Sequence, residues 1–191
     1  MNVVAFNGSP NPDGNTAILL RYVLAELEGE GIGTELVHIG AGGLVGCTDC
    51  GVCVARKDDR CALDDTPVNE WIAKMIAADG IVIGSPVYYA NCTAATQALI
   101  ERCGYPLRRG SNPLPRKVGA AVIAARRAGA IHAFDSINHF FQIAEMIVVG
   151  SSYWNIGMGR DSGDVEGDEE GIATMRTLGR NMAWVLKKLH G

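Results

Sequence analysis

The chain has little that would take it into or across a membrane. None of its apolar runs reaches the roughly 18 residues of a spanning helix. Met1-Asn2-Val3-Val4-Ala5-Phe6 offers neither the basic region nor the long apolar stretch of a secretory leader, so a cytoplasmic location and no membrane partner are the expectation. Positive charge is also scarce. With 17 Lys+Arg against 21 Asp+Glu, the net charge of −4 argues against a nucleic-acid or anionic-surface binder. Prolines number only 7 and there is no repeat, while hydrophobic residues make up 48% and charged residues 20%, which excludes disorder for most of the chain. The four histidines (38, 132, 139, 190) have no metal spacing and read as structural. No HExxH, GxSxG or Walker Gly-Lys-Ser/Thr run appears, so no side chain presents itself as a catalytic nucleophile.

Glycine and cysteine are abundant instead. The 24 glycines point to tight loops or to backbone held close to a ligand. Six cysteines without an export signal point to ligands or reactive thiols more than to a disulfide framework. The length suits one domain, 1–191, with a Cys-rich insertion at about 40–65.

Short apolar runs at 3–7, 34–39, 80–84, 117–125 and 146–149 read as five strands, the inner ones buried on both faces. Helical periodicity separates them. It covers the stretch from Asn15 to Leu27, then 68–76 (Val68, Ile72, Met75, Ile76), about 93–103, 131–145, and a last helix through Met175, Leu178, Met182, Val185, Leu186 and Leu189. Thr66-Pro67 reads as an N-cap with proline at the first helical position. Asp64-Asp65 read as helix-entry caps. Asp168, Glu169 and Glu170 before the last helix and Lys187-Lys188 at its end suit the macrodipole. Residues 104–115, with three prolines, and 150–168, rich in glycine, read as long loops. The alternation predicts an α/β fold, a doubly wound five-stranded parallel sheet with helices on both faces. Ligands of such sheets sit beyond the carboxyl ends of the strands.

The loop after the first strand is Gly8-Ser9-Pro10-Asn11-Pro12-Asp13-Gly14-Asn15-Thr16. Its hydroxyls, its amides and the free N–H groups of a helix start can cradle a phosphate without a positive side chain. An ordinary capped turn is the alternative. After the third strand, Ser85-Pro86-Val87-Tyr88-Tyr89-Ala90-Asn91 offers two aromatics and exposed backbone suited to a flat heteroaromatic ring, or to plain loop packing. After the fourth, Arg126-Arg127-Ala128-Gly129 places a pair of cations where they could stabilise a negatively charged ring, or simply stand in solvent.

Cys47-Thr48-Asp49-Cys50-Gly51-Val52-Cys53 followed by Cys61 is a C-x2-C-x2-C-x7-C segment. Its first three cysteines are spaced as in the bacterial ferredoxin run. The intervening residues are small, and Arg56, Lys57 and Arg60 against Asp58 and Asp59 leave a local charge of 3 − 2 = +1. A [4Fe–4S] cluster, a zinc ion, a redox disulfide and a metal-free scaffold all stay open. Cys92 and Cys103 lie in an apolar helical stretch and read as buried structural thiols.

Gly-Ser-Pro…Gly-Asn-Thr after strand one, with Gly-Ser-Pro-Val-Tyr after strand three, resembles the flavodoxin-like NAD(P)H-dependent FMN reductases. The cysteine segment is similar to that of the iron–sulfur flavoprotein branch. The resemblance spans nearly the whole chain and implies a sheet order of 2-1-3-4-5. It implies that FMN is bound by Ser9, Asn11, Gly14, Asn15 and Thr16 at its phosphate. Pro86, Val87, Tyr88, Tyr89, Ala90 and Asn91 would lie along its ring, with Arg126, Arg127 and Gly129 at the ring's edge. Many relatives carry a basic residue where this chain has Asn11, a departure expected to weaken phosphate affinity. The implied chemistry is hydride transfer from NAD(P)H to flavin, then electron delivery to a small-molecule or protein acceptor, through a [4Fe–4S] cluster on Cys47, Cys50, Cys53 and Cys61 if that segment holds one. A non-enzymatic FMN electron carrier is the competing reading, and metal sensing by the cysteine loop a weaker third. A homodimer or homotetramer is implied by resemblance and by the two long loops. Tyr153, Trp154 and Asn155 are read as subunit packing ahead of a flavin cover.

Overall fold

The computed structural model describes residues 1–63 and 67–191. Thr66 as a cap and Asp64-Asp65 as helix-entry residues lie outside the described residues. The elements run β1 Asn2–Asn7, α1 Asn15–Gly29, β2 Gly33–His38, α2 Val52–Arg56, α3 Val68–Ala77, β3 Gly80–Pro86, α4 Ala94–Arg109, β4 Val118–Ala125, α5 Ala130–Ile143, β5 Ile147–Val148, β6 Ile156–Met158 and α6 Glu169–His190, with a 3-10 turn at Asp164–Gly167. The sheet is parallel, in the order β2-β1-β3-β4-β5, as expected.

Strand alternation sorts the core into two layers. Val4, Phe6, Ile81, Ile83, Ala121 and Ile123 face α3, α4 and α5. Val3, Ala5, Val82, Ala120 and Val122 face α1 and α6. With apolar residues on both faces, the central strands cannot sit at a solvent-facing sheet, which is why they read as continuous apolar runs. The register Phe6↔Ile83 and Ile83↔Ala121 ends β1, β3 and β4 together, so their loops meet at one edge.

Four expectations are corrected. Residues 104–109 are helical, not loop: α4 runs through Pro106 to Arg109. Proline removes one helical hydrogen bond, but Leu99, Cys103 and Leu107 are fully buried at helical spacing, and that stripe outweighs the break. The fifth strand is cut to Ile147–Val148, and β6 takes over its place beside the upper half of β4. Asn155, 1% exposed, bridges the interruption: its Nδ2 donates to Ala121 O at 2.9 Å and its carbonyl accepts from Ile123 N. The stretch 150–168 therefore holds a strand and a 3-10 turn, and length of loops no longer argues for oligomers. Finally, Trp71 takes the buried place on α3, while Ile76, like Leu189 on α6, is partly exposed. Short α2 within the cysteine segment has no periodicity long enough to be read in advance.

Among the described residues, no helix is long and apolar enough to cross a membrane.

Candidate functional site

The β1–α1 loop is held rigidly by its own polar groups. Asn7 is fully buried; its Oδ1 accepts from Ser9 N at 3.0 Å and its Nδ2 donates to Pro12 O at 3.3 Å. Ser9 Oγ accepts from Asn11 N, and Asn11 Oδ1 accepts from Asp13 N, each at 3.1 Å. These bonds leave the Ser9 hydroxyl proton to donate outward. His38 Nε2 sits 2.8 Å from Ser9 O. Gly40 packs so closely that an added Cβ would stand 1.9 Å from that same carbonyl. The end of β2 thus buttresses the loop from behind.

Helix α1 starts without a cap: Gly14 occupies the N-cap and no side chain accepts from the first-turn N–H groups. The Thr16 hydroxyl, on a residue 1% exposed, has no hydrogen-bond partner among the described residues. A buried unpaired hydroxyl costs about 1–3 kcal/mol. Together, the uncapped donors and the orphan hydroxyl make an anion cradle of partial positive charge.

This cradle opens into a cavity of about 240 Å3 lined by Ser9, Asn11, Gly14, Asn15, Thr16, Pro86, Val87, Tyr88, Ala124 and Arg126, and by Gly159, Arg160 and Ser162 from the β6–α6 connection. Nine of the expected contact residues therefore meet in one place. Sequence reasoning missed the last three. Asn15 ties them in: its Oδ1 accepts from Gly163 N at 2.8 Å and its Nδ2 donates to Asp161 O at 2.9 Å. Asn11 Nδ2 reaches Ser162 Oγ at 3.4 Å. Arg160 brings to this cavity a cation that Asn11 does not supply. A glycine-rich stretch with no motif of its own gave no signal for it; only the closure of β6 on β4 brings it here.

The other expected residues lie just beyond. Tyr88 and Asn91 pair as a tight turn, with Tyr89 (φ 49°) and Ala90 (φ 60°) at its tip and Tyr89 fully exposed. Asn91 is occupied locally, its Oδ1 accepting from Cys92 N at 2.8 Å. Arg127 and Gly129 line a neighbouring cavity of about 350 Å3, together with Tyr153 and Trp154, whose rings meet edge-on at 4.7 Å. That aromatic pair is half exposed.

The cysteine segment wraps against α4. Cys47, Cys50, Cys53 and Cys61 are all free thiols and all border one small cavity beside Arg102 and Tyr105. The backbone is left-handed at Asp49 and Gly51, between the first three of these cysteines. Cys53 is buried and Cys61 half-buried, whereas Cys47 and Cys50 are exposed. Burial raises the Cys53 thiol, and the neighbouring Cys47 and Cys50 raise it further if ionised. Asp49 N donates to Cys47 Sγ at 3.4 Å. Among the described residues, no group of three His, Cys, Asp or Glu side chains is placed to hold a metal ion. The cavity, about 20 Å3, has room for about one water. The donor set itself, four thiols on one concave surface with N–H donors to sulfur, fits a cluster. Cys92 and Cys103 are buried and do not line this cavity. Cys103 is held far toward the thiol form, first by burial and then by Cys61.

A 2-1-3-4-5 sheet that gathers the β1, β3 and β4 loops around an uncapped helix start is the architecture of flavodoxin-like flavoproteins. Residues 1–161 match the family model described as NADPH-dependent FMN reductase, and the chain belongs to that family of flavin oxidoreductases. It is 39% identical over 194 residues to an iron–sulfur flavoprotein of Methanocaldococcus jannaschii, covering 98% of each chain. It is 33% identical over 195 residues to an iron–sulfur flavoprotein of Methanosarcina thermophila, covering 98% of this chain and 96% of that one. Among solved structures it is similar to a WrbA-like flavodoxin from Agrobacterium tumefaciens, with a TM-score of 0.68 at 16% identity over 98% and 97% of the two chains. That likeness is one of fold.

Proposed function

We propose that this chain is an FMN-dependent oxidoreductase that takes a hydride from NAD(P)H and passes electrons to a small-molecule or protein acceptor, with a [4Fe–4S] cluster held by Cys47, Cys50, Cys53 and Cys61. The observation that carries the flavin part is the buried, unpartnered Thr16 hydroxyl at the uncapped start of α1. Such a group is explained by an anion that accepts from it. Ser9, Thr16 and the α1 N–H groups would hold the FMN phosphate, with Arg160 as the balancing cation. Pro86, Val87 and Tyr88 would flank the ring, and Arg126 would stand where negative charge develops on reduction. When bound, FMN supplies hydride acceptance and the return of electrons one at a time; the protein supplies orientation and electrostatics. The turn at Tyr89-Ala90-Asn91 and the cavity beside Arg127, Gly129 and Trp154 would border the access side of the ring, leaving room for a nicotinamide. The cluster reading is supported by the four thiols on one wall and by relatives that bear the iron–sulfur flavoprotein name. Domain 1–191 would act in the cytoplasm as a homodimer or homotetramer.

The test mixes FMN-loaded protein anaerobically with NADH and, separately, with NADPH. Bleaching of the flavin absorption by at least one of them, at a rate that saturates with nucleotide, is the expected result. Flavin reduced only by a reduced ferredoxin would instead make the chain an electron carrier between proteins.

A further inference from the structure

Arg102 is the largest fully buried side chain of the described structure, 1% exposed on α4. Burying a guanidinium is costly and calls for partners. Its named partners are distributed in a particular way. Nε donates to Cys61 Sγ at 3.4 Å, Nη2 to Leu63 O at 2.8 Å, and Nη1 reaches Val45 O at 3.5 Å. Val45 lies two residues before the first cysteine of the segment, and Cys61 is the last. One side chain thus joins the two limbs of a loop that has little secondary structure of its own.

The preceding helix residue acts on the other limb. Glu101 Oε2 accepts from Cys47 N at 3.0 Å, while its Oε1 accepts from Gln97 Nε2 at 3.1 Å. The approach is close: a Cβ at Gly46 would stand 2.7 Å from Glu101 Oε2. Two successive residues of one helix therefore hold the first and last cysteines, one through backbone N–H and one through sulfur.

We infer that Glu101 and Arg102 form a clamp that positions Cys47 and Cys61, and that the Arg102 cation sets the reduction potential of the cluster those cysteines hold. The inference rests on reading the four cysteines as cluster ligands. A buried cation donating to a ligand sulfur favours the more negative, reduced state of a cluster, because the added electron is stabilised in a medium that screens poorly. Arg102 is a positioning residue: it acts through Cys61.

The experiment uses Arg102→Met, which keeps an unbranched apolar stem and removes charge, and Arg102→Lys, which keeps charge and loses the fork. In anaerobically reconstituted protein, Arg102→Met is expected to make cluster reduction about tenfold less favourable, a shift of about 59 mV to lower potential for one electron. Arg102→Lys is expected to shift it less. The FMN potential should stay within error of the parent protein. A second readout needs no cluster: in metal-free protein, alkylation of Cys61, followed by peptide mass, should become faster in both variants as the clamp is released. Unchanged cluster potential in a folded Arg102→Met protein overturns the assignment of the cation. Unchanged Cys61 alkylation in either variant overturns the clamp. If Arg102→Met does not fold, Arg102→Gln, which also removes the charge, decides the cation, and the lysine variant decides the clamp. If the parent itself binds no iron, the cluster reading fails, while the alkylation result still decides the clamp.

Discussion

Ser9→Asp should abolish FMN retention. Ser9 stands at the end of β1, 7% exposed, with its hydroxyl accepting from Asn11 N. A carboxylate placed there can still accept from Asn11 N, so the loop keeps its shape. What changes is charge. Two unit charges about 4 Å apart repel by about 4 kcal/mol at an effective dielectric of about 20. That corresponds to about a thousandfold in Kd, and the phosphate of FMN carries more than one charge. The protein should purify folded and colourless, and titration with FMN should show affinity weakened by at least this factor. Thr16→Val sharpens the test. Its hydroxyl is buried without a partner, so removing it should leave the flavin-free protein as stable or more stable. The same change should weaken FMN binding about tenfold, the worth of one charge-assisted hydrogen bond. Opposite signs in stability and affinity would mark the hydroxyl as one kept for a ligand. Normal flavin content in Ser9→Asp would remove the phosphate from this loop.

Cys50→Ala separates the two cofactors. Cys50 is exposed and lines the cavity beside α4, whereas the β1–α1 loop lines a different one. Losing one of four thiolates should remove the cluster, from about four irons per chain to none, while FMN content stays at the parent level. Iron and acid-labile sulfide analysis, read beside the flavin spectrum, measures both at once. Loss of flavin together with iron would mean that the cysteine segment supports the fold of the flavin loops. Retention of iron would mean that these cysteines are not the ligand set.

Much of this was legible in the amino-acid sequence because it is written in local patterns. Continuous apolar runs mark the buried strands, and the α1 and α6 stripes mark their helices; the sheet order implied by the family resemblance is the one observed. The phosphate-loop and aromatic-loop residues lie within a few positions of strand ends, so topology alone carries Ser9, Thr16, Pro86 and Tyr88 into one cavity. What was illegible depends on contacts between distant segments. Pro106 signalled a break, but the buried Leu99–Cys103–Leu107 face carried the helix through it. The place of β6 depends on Asn155 repairing the ladder of β4, which no local propensity reveals. Arg160 reaches the cavity only because that strand closes there. Arg102 sits in a helix that reads as amphipathic, and nothing in its neighbours announces that it points inward at a cysteine some forty positions earlier.

The central claim, a flavin and a cluster on one chain, is tested most directly by the visible absorption spectrum of anaerobically purified protein with flavin, iron and sulfide counted on the same sample. The account predicts flavin bands over a broad iron–sulfur absorption, one FMN per chain as the cradle at Ser9 and Thr16 requires, and about four irons per chain. Flavin without iron would leave an FMN reductase whose cysteine loop has another purpose. A colourless protein that takes up no FMN on reconstitution would contradict the account at its base.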